Sequence, residues 1–91
     1  MEKIIYGITK VVNIKTGAKY DIFIGRPSKW GNPFRIGRDG TREDVLLKYE
    51  NYLLYNPKLM SEIEELHGKV LGCLCKPLPC HGDVLIEILE K

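Results

Sequence analysis

The chain has 91 residues, 44% of them hydrophobic and 29% charged, with a net charge of +2. That is the composition of one globular domain spanning 1–91, and it argues against the disordered and membrane classes. No apolar run approaches the roughly eighteen residues that cross a bilayer, and the start Met1-Glu2-Lys3-Ile4-Ile5-Tyr6 lacks the features of a signal peptide; the expectation is a cytoplasmic protein with no membrane partner.

Residues 6–24 read as a β-hairpin. Val11, Val12 and Ile14 lead into Lys15-Thr16-Gly17, and Tyr20, Ile22 and Ile24 then alternate with Lys19, Asp21 and Phe23, a period of two that puts the first three on the core face. Residues 25–40 hold four of the nine glycines and two of the five prolines, so a long loop follows, anchored by Trp30, Phe34 and Ile36. Thr41-Arg42-Glu43-Asp44 has the form of a capping box with a shortened acid, and Val45, Leu46, Tyr49, Tyr52 and Leu53 continue it at helical spacing. Asn56-Pro57 ends that helix. A second runs from about Lys58 to His67 with Leu59, Ile63 and Leu66 inward and Gly68 at its end.

Lys69-Val70-Leu71-Gly72-Cys73-Leu74-Cys75 is a short, nearly unbroken apolar run typical of a strand buried on both faces, stopped by the prolines at 77 and 79. Gly82-Asp83 opens a last helix with Val84, Leu85, Ile88 and Leu89 as its apolar stripe. The predicted architecture is α/β or α+β: a small mixed sheet, made of the N-terminal hairpin plus one buried strand, covered by about three helices.

Two stretches carry candidate chemistry. The first is the corner at 73–83, a strand, a tight loop and a helix start, the layout in which α/β proteins place ligands. All three cysteines, Cys73, Cys75 and Cys80, lie within eight residues, too close together to staple distant parts of a fold, so redox, metal or reactive roles are more natural. Cys80 precedes the first helical turn and has His81 beside it, a setting that lowers a thiol pKa; Cys80, His81 and Asp83 are therefore candidate catalytic residues, with Asp83 orienting the imidazole or capping the helix. Cys73, Cys75, Cys80 and His81 are alternatively candidate ligands of a zinc ion, although C-x-C-x4-C-H lacks the usual C-x2-C knuckle. The plain alternative makes Cys73 and Cys75 small buried hydrophobes, Asp83 an N-cap and His81 a surface residue. On balance Cys73 and Cys75 are expected buried, and Cys80, His81 and Asp83 accessible.

The second stretch is the loop Arg26-Pro27-Ser28-Lys29-Trp30-Gly31-Asn32-Pro33-Phe34. Stacking on Trp30, an edge contact from Asn32 and phosphate contacts from Arg26 or Lys29 would cradle a base and a phosphate, with Ser28 and, from the corner, Lys76 as further ligand contacts. The alternative is that Trp30 and Phe34 staple the loop to the core. Charge is uneven: residues 26–42 carry Arg26, Lys29, Arg35, Arg38 and Arg42 against Asp39, a balance of +4, while 43–91 carry five basic and nine acidic side chains, a balance of −4. Five cations in one loop fall short of a duplex-binding face, and a small anionic or nucleotide-like ligand suits the charge better than nucleic acid.

The strings W-G-N-P-F (Trp30 to Phe34) and C-x-C-x4-C-H-G-D (Cys73 to Asp83), with the sequence around them from Tyr20 onward, resemble a small prokaryotic and phage domain family of unknown function. Members often have tryptophan where this chain has Leu74. The resemblance implies that the two motifs belong to one unit and assigns no reaction, so whether the domain is an enzyme stays open at this point. The expectation is that loop and corner face a common pocket for a nucleotide-like or other phosphorylated ligand. A zinc module contacting nucleic acid or protein and a plain interaction domain are the alternatives.

Overall fold

A computed structural model describes residues 8–74, 76 and 78–90. Three short strands, β1 (Lys10–Asn13), β2 (Ile22–Phe23) and β3 (Val70–Cys73), and three helices, α1 (Arg42–Leu54), α2 (Pro57–Glu62) and α3 (His81–Leu89), make an α+β fold of the expected class. A 3-10 turn, Ile63–Leu66, continues α2, and Leu59, Ile63 and Leu66 are buried as their spacing predicts.

The strand pairing differs from expectation. The sheet order is β1-β3-β2, and both outer strands run parallel to β3, Lys10 opposite Val70 and Ile22 opposite Leu71. The hairpin expected over 6–24 does not form among the described residues, and the sheet there is parallel rather than mixed. Its turn is a 3-10 turn, Ile14–Thr16, capped by the Asn13 side chain accepting from the Lys15 N–H and closed by Gly17 at φ 83°. The following chain crosses to the far edge of β3, where Asp21 N–H donates to the Val70 carbonyl and Ile24 N–H to that of Gly72. An apolar central strand thereby has both edges paired, which a lone strand beside a hairpin would not.

Helix signals hold more closely. The Thr41 hydroxyl accepts from Asp44 N–H at 3.2 Å while the Asp44 carboxylate accepts from Thr41 N–H at 2.9 Å, the reciprocal capping box. Asn56 caps α2 by accepting from Leu59 N–H, with Pro57 at the first helical position.

Ile24, Trp30, Tyr49, Leu53, Leu66, Leu71 and Leu85 form the centre of the core. Tyr20 is 46% exposed and Ile36 53%, so neither is the core anchor expected of it. Two glycines set the layer spacing. A Cβ on Gly72 would stand 2.8 Å from the Tyr20 ring, and one on Gly82 would stand 2.7 Å from Val11 and 2.9 Å from Ile24. The absence of side chains at these points lets Tyr20 lie on β3 and lets the first turn of α3 sink onto the sheet.

Candidate functional site

Sinking α3 onto the sheet decides where the corner's reactive groups go. Cys80 is the residue before the helix and only 1% exposed, and His81 is 8% exposed. The accessible cysteine and histidine expected from the sequence are therefore buried, because Gly82 draws the helix start against Val11 and Ile24. Asp83 caps the helix: its carboxylate accepts from the Cys80 N–H at 3.1 Å and pairs with the Lys76 ammonium. Lys76 is thus held by Asp83, and the same interaction pushes its pKa up.

Burial pushes the Cys80 thiol up to about 12, against the pull of the Gly82 N–H and with the Cys73 sulfur adding to the rise. The lowered pKa expected from a helix start is overridden, since desolvation of a thiolate outweighs a partial dipole charge. Cys73 is buried, as expected, and its sulfur lies 3.7 Å from that of Cys80. Cys75 lies outside the described residues. Among the described residues no three metal-ligating side chains gather at one point, and of the three expected zinc ligands that are described, Cys73, Cys80 and His81, the two sulfurs lie together while the His81 Nε2 is turned to the Ile24 carbonyl.

His81 Nε2 lies 2.6 Å from the Ile24 carbonyl. A carbonyl can only accept, so this nitrogen carries the proton and the other is the acceptor of a neutral ring. Burial lowers the His81 pKa, opposed by the Ile24 hydrogen bond, with Arg26 lowering it further. The imidazole also meets the Tyr49 ring edge-on at 5.2 Å, and the Tyr49 hydroxyl donates to the Trp30 carbonyl. Tyr49 therefore ties the loop to the corner. Its place on the inner stripe of α1 was legible, but not this double contact.

In the loop, Arg26-Pro27 is a cis peptide. Trp30 is 1% exposed, covered by the core and by Lys29, and leaves no face open for a base to stack on. Asn32 Nδ2 donates to the Val45 carbonyl and its Oδ1 accepts from Phe34 N–H, which employs both ends of the amide in shaping the loop. Lys29 bridges Glu62 at 3.4 Å and Glu65 at 2.7 Å and lies over the Trp30 ring. Ser28 Oγ is buried without a partner among the described residues. Neither Lys29 nor Ser28 lines the cleft described next.

That cleft, of about 350 Å³, opens between the loop, the start of α1 and the corner. Arg26, Arg35 and Arg42 line it together with Asn32, Cys80 and His81; Phe34, Ile36, Leu46 and Leu74 supply apolar wall. Arg42 donates to the Pro79 carbonyl at 3.0 Å, fastening α1 to the loop that precedes α3. The Arg26 and Arg35 guanidinium groups have no hydrogen-bond or ion-pair partner among the described residues. Arg35 and Arg42 were missed as site residues, although the +4 balance of 26–42 was their signal. The same cleft brings the two sequence motifs onto one surface.

No helix among the described residues is long and apolar enough to cross a membrane.

The chain belongs to the family described as a domain of unknown function (DUF4326), whose profile matches residues 10–91. It is 35% identical over 89 residues to an uncharacterised 12.4 kDa protein from the nrdA-td intergenic region of Enterobacteria phage T4, covering 92% of this chain and 80% of the phage protein. It is also 37% identical over 88 residues to an uncharacterised protein of Acanthamoeba polyphaga mimivirus, covering 77% of this chain and 67% of the viral one. No solved structure matches.

Proposed function

We propose that the cleft binds a small phosphorylated ligand of nucleotide-like size. The observation that carries this reading is the convergence of Arg26, Arg35 and Arg42 on one cleft with no carboxylate among its described lining residues. Two of the three, Arg26 and Arg35, have guanidinium groups with no hydrogen-bond or ion-pair partner among the described residues. Guanidinium forks match phosphate oxygens in pairs of parallel hydrogen bonds, and three arginines lining one cleft favour a multiply charged anion. The apolar lining residues Phe34, Ile36, Leu46 and Leu74 suit a ring or chain attached to the phosphate. A volume of about 350 Å³ lies at the small end of ligand sites, roughly 300–1,000 Å³, and fits a mononucleotide better than a polymer.

The reading is one of binding. Among the residues lining the cleft, His81 is held neutral and Cys80 protonated by burial, so neither adds negative charge that would repel a phosphate at neutral pH.

Isothermal titration with nucleoside monophosphates and with inorganic phosphate tests it. Binding is expected for at least one of them and weakens as salt rises. Arg26→Ala and Arg35→Ala should each reduce affinity about tenfold or more, since a hydrogen bond to a charged group contributes about 1.5–3 kcal/mol, while leaving the melting temperature unchanged. Binding that survives both substitutions intact would move the site elsewhere.

A further inference from the structure

Cys73 closes β3 and Cys80 stands at the N-terminus of α3, so two elements of the core hold their sulfurs 3.7 Å apart. Both side chains are buried, which fixes the separation by packing rather than by chance encounter. Shortening 3.7 Å to the ~2.05 Å of a disulfide requires each sulfur to move by less than about 1 Å. Cys80 is buried but lines the cleft and also a groove beside Leu47, Pro79 and Val84, whereas Cys73 lines neither, so Cys80 is the sulfur-bearing residue that a small reagent meets first when the packing opens. Lys76, in the segment between the two cysteines, is held at both ends, by its carbonyl accepting from Asn13 Nδ2 and by its ammonium pairing with Asp83.

We propose that Cys73 and Cys80 are a reversible dithiol–disulfide couple, with Cys80 the sulfur attacked by a small hydroperoxide and Cys73 the resolving sulfur. In the first step the Cys80 thiolate attacks one oxygen of hydrogen peroxide, the O–O bond breaks, and the departing hydroxide takes a proton to become water, leaving Cys80 as a sulfenic acid. In the second, the Cys73 sulfur attacks the Cys80 sulfur, the S–O bond breaks, and hydroxide leaves with the Cys73 proton as a second water. Two thiols lose two electrons and peroxide gains them. The burial that keeps the Cys80 thiol protonated makes the first step slow at neutral pH and faster as pH rises. This couple stands independently of phosphate binding, because it requires only the two sulfurs and a path to one of them.

The test is a thiol count on the folded full-length chain, treated with hydrogen peroxide, then denatured. The unaltered protein should fall from three titratable thiols to one, lose the mass of two hydrogens, stay monomeric on a non-reducing gel, and recover fully in dithiothreitol. Cys75→Ser should fall from two thiols to none in the same way. With Cys73→Ser and Cys75→Ser combined, Cys80 has no resolving partner and should gain oxygen mass instead. The proposal is overturned if Cys75→Ser keeps both thiols while the unaltered chain loses two, since the bond would then involve Cys75. It is overturned equally if oxidation adds oxygen irreversibly without a disulfide, or if the protein as isolated carries one equivalent of zinc on these sulfurs.

Discussion

Residues 26–34 and residues 73–83 each combine a ring, a cation and small polar groups, yet the fold uses them in opposite ways. In the loop the ring and the amide serve structure: Trp30 is in the core and Asn32 braces the backbone, while the Arg26 guanidinium has no hydrogen-bond or ion-pair partner among the described residues. In the corner the described titratable groups are engaged, His81 on the Ile24 carbonyl, Asp83 on the helix start and on Lys76, and Cys80 against Cys73. The difference teaches that the loop spends its ring and amide on packing and leaves a charge over, whereas the corner spends its charges on its own hydrogen bonds. What separates them is the packing partner: the loop lies over α1 at the protein's edge, whereas the corner is pressed onto the sheet through Gly82.

The largest effect that could break this contrast is at Trp30. Trp30→Ala should destabilise the protein by about 3–5 kcal/mol, the usual cost of removing a large buried aromatic, whereas Arg26→Ala should stay within about 0.5 kcal/mol. Urea unfolding at pH 7.5 measures both. A loss below about 1 kcal/mol for Trp30→Ala would mean that the ring is not held in the core and is available to a ligand after all.

Asp83 sharpens the corner's side of the comparison. Its carboxylate satisfies a free N–H at the start of α3 and holds Lys76. Asp83→Ala should cost about 1 kcal/mol, the usual value of an N-terminal cap, and Asp83→Asn less, since an amide oxygen can still accept. Equal losses for the two variants would show that the ion pair with Lys76, and not the cap, is what Asp83 contributes.

The helices were legible because their signals are local. Thr41 with Asp44, and Asn56 with Pro57, specify their own hydrogen bonds within three or four residues, and the structure forms them. The sheet order was not legible, because alternation over 20–24 tells which residues share a face and nothing about which strand lies alongside. Competition for the two edges of β3 decided that, a long-range matter. The corner was legible as a cluster but not in its exposure. Cys80 reads as a surface residue from its place before a helix, and only the fit of Gly82 against Val11 and Ile24 reveals that the helix start faces inward. For the loop, local charge pointed toward the basic cleft, while the individual arginines that line it depended on how α1 meets the chain at 79.

The smallest expected effect is a pH dependence that only the corner should show. Burial places the folded-state pKa of His81 below that of an unfolded histidine, about 6.5, and the groups facing the ring do not reverse this: Arg26 opposes the imidazolium, Asp83 favours it weakly, and Tyr49 packs against it uncharged. Between the two pKa values the unfolded chain binds a proton that the folded chain does not. Stability must therefore rise with pH through that window, be fully present above about pH 7.5, and fall as pH drops below about 6.5 toward the folded pKa. His81→Gln keeps an amide donor for the Ile24 carbonyl but cannot titrate, so the slope of the urea midpoint between pH 7.5 and 5.5 should be shallower in the variant than in the parent. His67, paired with Glu64 on the 3-10 turn, is present in both and cancels. If parent and variant lose stability in parallel, the imidazole is solvated rather than buried, and the floor of the cleft would then carry a titrating cation that adds to Arg26 in holding an anion.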